Sequence, residues 1–306
     1  MDRGFTVEGL TVTYMPRGPG TGQADTLQQR ARFFGYKRPY LGYCRIYLEQ
    51  DALVAFEEYV AHEEDMRRQL QAVRDAGTPL SEWKRAFILS PALQPCRANV
   101  VQYNYARGRY SNDWYMPRGA LAPADILRDN RSVVQRFLGT LTLRPDAGSD
   151  DRELAQRHEM AADVPLRRAL EELLIPYRLI DANDSQERTG LLLQLSRALE
   201  GVPGELCTIY RMSPAYKRER GVDANGRLKY LFQGAFPVSP LSRRGSIYPG
   251  DKEIHAADRV SIQVHWLALT EGDAVVANEV PVLAVWVPAR LGVDWLVQEQ
   301  PPLAHA

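Results

Sequence analysis

Apolar and polar positions divide the chain into stretches of strand-like and helix-like period. Residues 10–15, Leu-Thr-Val-Thr-Tyr-Met, are β-branched and aromatic and predict a strand. The Gly- and Pro-rich run at 18–22 predicts a loop, and the helix formers of 24–34, stopped by Gly35, predict a helix. A second strand is expected at 43–48. A long helix is expected from about 51 to 75, where Leu53, Phe56, Val60 and Met66 recur near helical spacing. Strand, helix, strand, helix is the signature of an α/β fold, a βαβ unit with a parallel sheet.

The pattern then changes twice. Residues 78–118 are rich in Trp, Tyr, Arg and Asn and read as mostly irregular, whereas 121–138 and 150–200 read as helical. Within the latter, 183–199 is amphipathic, with Leu191, Leu192, Leu195 and Leu199 on one side. Beyond about 203, strands are expected at 206–212, 228–233, 260–269 and 280–287, separated by Gly, Pro and Asp turns. The expected organisation is therefore an α/β region at 1–90, a mixed aromatic, Arg-rich and helical region at 91–202, and a C-terminal β-rich (α+β) domain at 203–306.

Composition narrows the function classes. Of 306 residues, 45% are apolar and 25% charged, which excludes disorder as the main state. Basic and acidic residues balance at 38 each, so a histone-like, purely electrostatic binder is excluded while a local basic face is not. Cys44, Cys96 and Cys207 are far apart and form no zinc-ribbon pair. A sparse, odd set suits a reducing cytoplasm. The sequence contains no run of roughly 20 apolar residues, so no membrane span is expected.

Two short segments carry candidate nucleotide chemistry. Arg3-Gly4-Phe5-Thr6 precedes the first strand. Gly allows close approach of backbone to phosphate, and Thr6 can donate to a phosphate or cap the turn. The pair resembles the fifth motif of superfamily-two helicases. Gln28-Gln29-Arg30-Ala31-Arg32 resembles their sixth motif, with Ala31 in the Gly place and Gly35 where a second Arg is usual. The resemblance implies that Gln28 and Arg32 face ATP bound to another lobe, with Arg32 as an arginine finger; a permanently charged, forked guanidinium suits that role. It also implies that Arg3, Gly4, Thr6 and Arg30 lie near nucleotide or nucleic acid.

Beyond the motor pattern, Arg3–Val12, Asp25–Gln28, Arg32–Tyr36 and Cys44–Tyr47 resemble the Z-one domain family, whose members are labelled endonucleases. Thr78-Pro79 and Arg97-Ala98-Asn99 also look like family features, and the resemblance covers about residues 2–110. It implies a partial RecA-like helicase second lobe, DNA as substrate, and a setting in restriction, repair or phage defence. The chain then reads as the C-terminal part of such a DNA-processing ATPase. ATP and Mg2+ would be used only together with a first lobe, supplied by an upstream segment or a separate ATPase subunit. A start at Met1 would leave the strands at 10–15 and 43–48 without neighbours. The competing expectation is a non-enzymatic subunit, a degenerate motor lobe that binds DNA or docks on a partner ATPase.

Other motifs fall short of a site. Arg17 to Ala24 mimics a phosphate-binding loop, but Gln23 and Ala24 stand in the Lys and Ser/Thr places. His62-Glu63-Glu64-Asp65-Met66 lacks the second His of a zinc-peptidase helix, and His158-Glu159-Met160 lacks one too. A magnesium nuclease needs two or three carboxylates and usually a Lys. The best candidates are Asp251 and Asp258, with Glu253 and His255, ahead of the strand holding Gln263-Val264-His265 where Glu-x-Lys would stand. Glu82-Trp83-Lys84 is a Glu-x-Lys on a helical stretch. Finally, Asn99–Arg118 interleaves aromatics with Arg107 and Arg109, either a surface that stacks on bases and binds phosphates or a packing strap.

Overall fold

A computed structural model describes residues 10–15, 22–23, 38–75, 77, 86–89, 93–94, 105–147, 152–235 and 248–298. In chain order its strands are β1 (Val12–Met15), β2 (Gly22–Gln23), β3 (Arg45–Leu48), β4 (Ala86–Leu89), β5 (Leu93–Gln94), β6 (Tyr105–Gly108), β7 (Asp113–Tyr115) and β8 (Arg144–Pro145). They continue as β9 (His158–Pro165), β10 (Leu206–Met212), β11 (Arg218–Gly221), β12 (Val260–Glu271), β13 (Ala274–Val287) and β14 (Asp294–Gln298). The helices are α1 (Gln50–Asp75), α2 (Ala124–Gly139), α3 (Leu166–Ala169, continued by one π turn at Leu170–Leu174) and α4 (Ala182–Gly201). The fold is mixed α/β with several sheets.

The chain forms two compact units, residues 1–106 with 294–306, and residues 107–293. In the first, β1 and β3 pair in parallel, Val12 opposite Arg45 and Met15 opposite Leu48, as the strand-helix-strand alternation predicts. The predicted helix at 24–34 lies outside the described residues. Helix α1 follows β3 and agrees with the expected 51–75. The β4–β14 pair is antiparallel, and Trp295 and Val297 on β14 are buried. The β1–β3 pair is different: Val12, Tyr14, Ile46 and Tyr47 remain between 47% and 73% exposed.

The second unit is built on a seven-stranded sheet, ordered β7-β13-β12-β10-β9-β8, with β11 also paired to β12. Strand β12 is central. It runs parallel to β10 and β11 and antiparallel to β13, and nine of its twelve residues are buried. That accounts for the near-continuous apolar run the sequence shows there. Helix α2 packs on β13 with Asn130, Val134, Phe137 and Leu138 turned inward, a spacing of four, three and one that defines one helical face. Helix α4 begins at Asp181, whose side chain accepts from the backbone N–H groups of Asn183 and Asp184. It buries Leu191, Leu195 and Leu199, three of the four leucines expected on its apolar side.

Three expectations are corrected. The segment 150–200 is not helical throughout: His158–Pro165 is strand β9, antiparallel to β10. Its Glu, Met and Ala residues favour helix locally, but pairing within the sheet outweighs that preference. Residues 228–233 form no strand; Leu228 makes only an isolated bridge to Val222, and Arg227 one to Gly119. Residues 78–118, expected to be mostly irregular, contain β4, β5, β6 and β7 among the described residues. The expected boundary near 203 falls between α4 and β10, inside the second unit.

Candidate functional site

The most polar part of the second unit is buried. Asp251, fully enclosed, receives Arg218 Nη1 on Oδ2 at 2.7 Å and Arg218 Nη2 on Oδ1 at 3.2 Å. The Gln233 backbone N–H donates to Oδ2 at 2.7 Å, and the Tyr248 hydroxyl donates to Oδ1. Gly250 leads into this turn with φ at +101°, a left-handed conformation that glycine adopts without strain, and a Cβ there would lie 3.1 Å from the Ala235 nitrogen. A buried carboxylate needs such compensation, because its desolvation is otherwise too costly.

Two histidines extend the network. The Ser213 N–H donates to His158 Nδ1 at 3.1 Å, which puts the imidazole proton on Nε2, facing the Tyr248 hydroxyl at 2.9 Å. Gln263 Nε2 donates to the carbonyls of Asp251 and Ile254 at 2.7 and 2.8 Å, so its Oε1 accepts from His265 Nε2 at 2.9 Å. His265 Nδ1 is then a buried lone pair with no partner among the described residues. Burial, then the positive charge of Arg218, lowers His158 to about 4. Burial lowers His265 to about 3. Burial alone would raise the Asp251 carboxyl, but the Arg218 guanidinium and the Gln233 N–H that bond it hold it below its ordinary value. Near neutral pH the network is therefore one ion pair bracketed by two uncharged imidazoles.

This network braces the wall of a cavity. Residues 213–217 connect β10 to β11; the loop is tied at its start by Ser213 to His158 and just past its end by Arg218 to Asp251. Together with the last turn of α2, Arg211 and Trp266, it lines a space of about 620 Å3. The opposite rim is a bulge in β13. Leu267 faces Val280 while Leu269 faces Ala277, so β13 carries one extra residue at Asn278–Glu279. Arg131 clamps the bulge, donating from Nη2 to the Asn278 carbonyl at 2.9 Å and from Nε to the Glu279 carbonyl at 3.2 Å. Ser213 and Glu279 have φ of 48° and 50°, so two of the four left-handed non-glycine residues described line this one cavity. Such backbone costs of order 1–3 kcal/mol each and clusters where proteins hold ligands.

The residues singled out from sequence are distributed as follows. Arg3, Gly4, Thr6, Gln28, Arg30 and Arg32 lie outside the described residues, as do the loop at 18–21, Thr78-Pro79, Glu82-Trp83-Lys84 and Arg97-Ala98-Asn99. Asp251 is the buried partner of Arg218, whereas Asp258 is exposed and its carbonyl accepts from Arg290 Nε at 2.9 Å. His255 stacks on Trp286 at 3.9 Å, beside Trp114 and Phe232. Among the described residues no group of three or more His, Cys, Asp or Glu could hold a metal ion. In the aromatic segment Tyr110, Trp114 and Tyr115 are buried, with the Tyr110 backbone bonded to Gln194 and Trp114 Nε1 to the Lys252 carbonyl at 3.1 Å. Those rings pack the unit, whereas Arg107 and Arg109 are exposed. Sequence reasoning missed Arg218, Ser213, Lys217 and the bulge. The pairing of Arg218 with Asp251 joins residues 33 positions apart, and no local pattern signals it.

Among the described residues no helix is long and apolar enough to cross a membrane. No curated protein and no solved structure matches the chain. Residues 1–87, which contain the parallel β1–β3 pair and α1, match the family model of the Z1 domain, the Z-one domain whose motifs the sequence resembles.

Proposed function

We propose that this chain is the C-terminal part of a DNA-processing, helicase-like ATPase of the Z1 type, and that residues 1–87 form part of its second, RecA-like lobe. The observation that carries the reading is the parallel β1–β3 pair inside the matched segment, with Val12, Tyr14, Ile46 and Tyr47 left exposed. Parallel sheets are ordinarily covered on both faces and extended by neighbouring strands. Among the described residues the β1–β3 pair has no further strand beside it, and a lobe that completes itself against another ATPase segment accounts for this and for the exposed side chains. In this reading Arg32 supplies charge to the transferred phosphoryl group, Gln28 faces the nucleotide, and Arg3, Gly4, Thr6 and Arg30 approach phosphate. ATP and Mg2+ are held by the first lobe, and DNA is the substrate.

A second reading is favoured by Asp251, whose carboxylate is fully engaged by Arg218, Tyr248 and Gln233. It makes the 107–293 unit a DNA- or partner-binding module without nuclease chemistry, the endonuclease label then belonging elsewhere. Plasmid DNA incubated with the whole chain, with and without Mg2+, tests whether this part binds DNA and whether it carries nuclease chemistry, while ATP turnover tests the motor reading. Retention of DNA without cleavage supports the binding module. Mg2+-dependent cleavage that disappears in Asp258→Ala, with folding intact, supports a nuclease. Neither retention nor cleavage contradicts DNA as the substrate of this part.

A further inference from the structure

We propose that the cavity between α2, residues 213–217 and the β13 bulge binds a nucleoside monophosphate, its phosphate at Lys217 and Arg211 and its base against Trp266. The site lies wholly within the 107–293 unit and does not rest on the motor reading. Its volume, about 620 Å3, falls within the roughly 300–1,000 Å3 of small-ligand pockets.

The lining supplies what such a ligand needs. Lys217 is exposed, without an ion pair or hydrogen bond among the described residues. Arg211 is half-buried and paired with Glu159, Nη1 donating to Oε2 at 3.4 Å, and Arg131, Arg211 and Lys217 together outnumber Glu159 and Glu279 around this space. Glu279 is the one carboxylate on the wall, and Arg131 lies 4.0 Å from it. The wall therefore carries an excess of positive charge, which favours an anion. Trp266, half-buried, and Tyr216, 51% exposed, offer flat faces on which a base can stack. The Asn278 side chain is exposed and makes no described hydrogen bond, leaving an amide donor and acceptor for a base edge.

The walls are also preorganised. The Arg131 clamp fixes the bulge that presents Asn278 and Glu279, and the bond from Ser213 to His158 fixes the opposite loop. Both walls hold left-handed backbone at non-glycine residues, a strain that the surrounding structure maintains. Holding walls in place before the ligand arrives reduces the cost of binding.

The same chemical unit can arrive as a free nucleotide or as a nucleotide of a single DNA strand. The whole chain is titrated with AMP, dAMP and CMP, with adenosine, with inorganic phosphate and with a short single-stranded oligonucleotide, followed by tryptophan fluorescence and calorimetry. Saturable binding of at least one monophosphate is expected, about tenfold or more tighter than adenosine or phosphate, and about tenfold weaker in Lys217→Ala, the scale of one lost charge-assisted bond. Asn278→Asp, an exposed near-isosteric change that adds a negative charge, should also weaken it. An oligonucleotide that competes with the monophosphate identifies a strand as the source, and one that does not identifies the free nucleotide. The proposal is overturned by no saturable binding of any monophosphate, by inorganic phosphate binding as tightly as a monophosphate, or by affinity unchanged in both variants.

Discussion

Acid should loosen the 107–293 unit through His158 and His265, and the size of the effect follows from their burial. Both imidazoles are at most 1% exposed and are held neutral, His158 lowered to about 4 and His265 to about 3 from an ordinary value of 6.5. In the unfolded chain each takes up a proton as the pH falls through 6.5, whereas in the folded chain it does not until far lower. The unfolded state therefore binds more protons below 6.5, and stability is lost as the pH falls from there toward the folded values. At about pH 5 each histidine has lost roughly one and a half pH units of proton binding, or about 2 kcal/mol, and the two together about 4 kcal/mol. That is a large part of the roughly 5–15 kcal/mol that keeps a domain folded. Asp184 and Glu187, which burial pushes up, act in the opposite sense at the acid end of the range. Urea titrations at several pH values, read by tryptophan fluorescence, give the slope. Replacement of His265 by Gln should remove about half of the loss between neutral pH and pH 5. A stability that does not change over that interval, or a slope indifferent to both His158→Gln and His265→Gln, would refute the account of the buried network.

Three further outcomes follow from the structure. Arg218→Met leaves Asp251 buried without its cation and should cost about 3–5 kcal/mol, most of it recovered when Asp251→Asn is added; denaturation of the single and double variants checks this. Phe137→Ala removes the ring that fills the buried face of α2, 1% exposed, and should cost about 3–5 kcal/mol by thermal or urea melting. Arg107→Ala with Arg109→Ala should lower the slope of log affinity for DNA against log salt by about two, at about 0.9 for each phosphate no longer neutralised; an unchanged slope removes these exposed arginines from any DNA interface.

Legibility in the sequence followed the range of the interactions. Helix α1 and strand β10 match their expected spans closely, and α4 and β12 run only slightly longer, because each carries a period its own residues set. The parallel β1–β3 pair was legible from alternation, and the Z1 match falls where the motifs are densest. Strand β9 was not legible, since Glu159, Met160, Ala161 and Ala162 prefer helix and only pairing with β10 makes them extended. At the site, Asp251 stood out as an acid in a turn, but its partner comes from another strand, and its role is to neutralise Arg218. The cavity was hidden for the same reason. A bulge is a mismatch of register between β12 and β13, and no residue of Asn278–Glu279 announces it locally.

The central claim concerns the first 87 residues, and ATP turnover tests it most directly. Turnover in the presence of DNA is measured for this chain alone and joined to the first-lobe ATPase segment that the proposal requires, each with Arg32 intact and as Arg32→Ala. The account predicts turnover only in the joined form, with a loss of about 10³-fold or more in Arg32→Ala, the scale of an arginine finger. Turnover in the joined form that is indifferent to Arg32→Ala, or no turnover in either form, would contradict it.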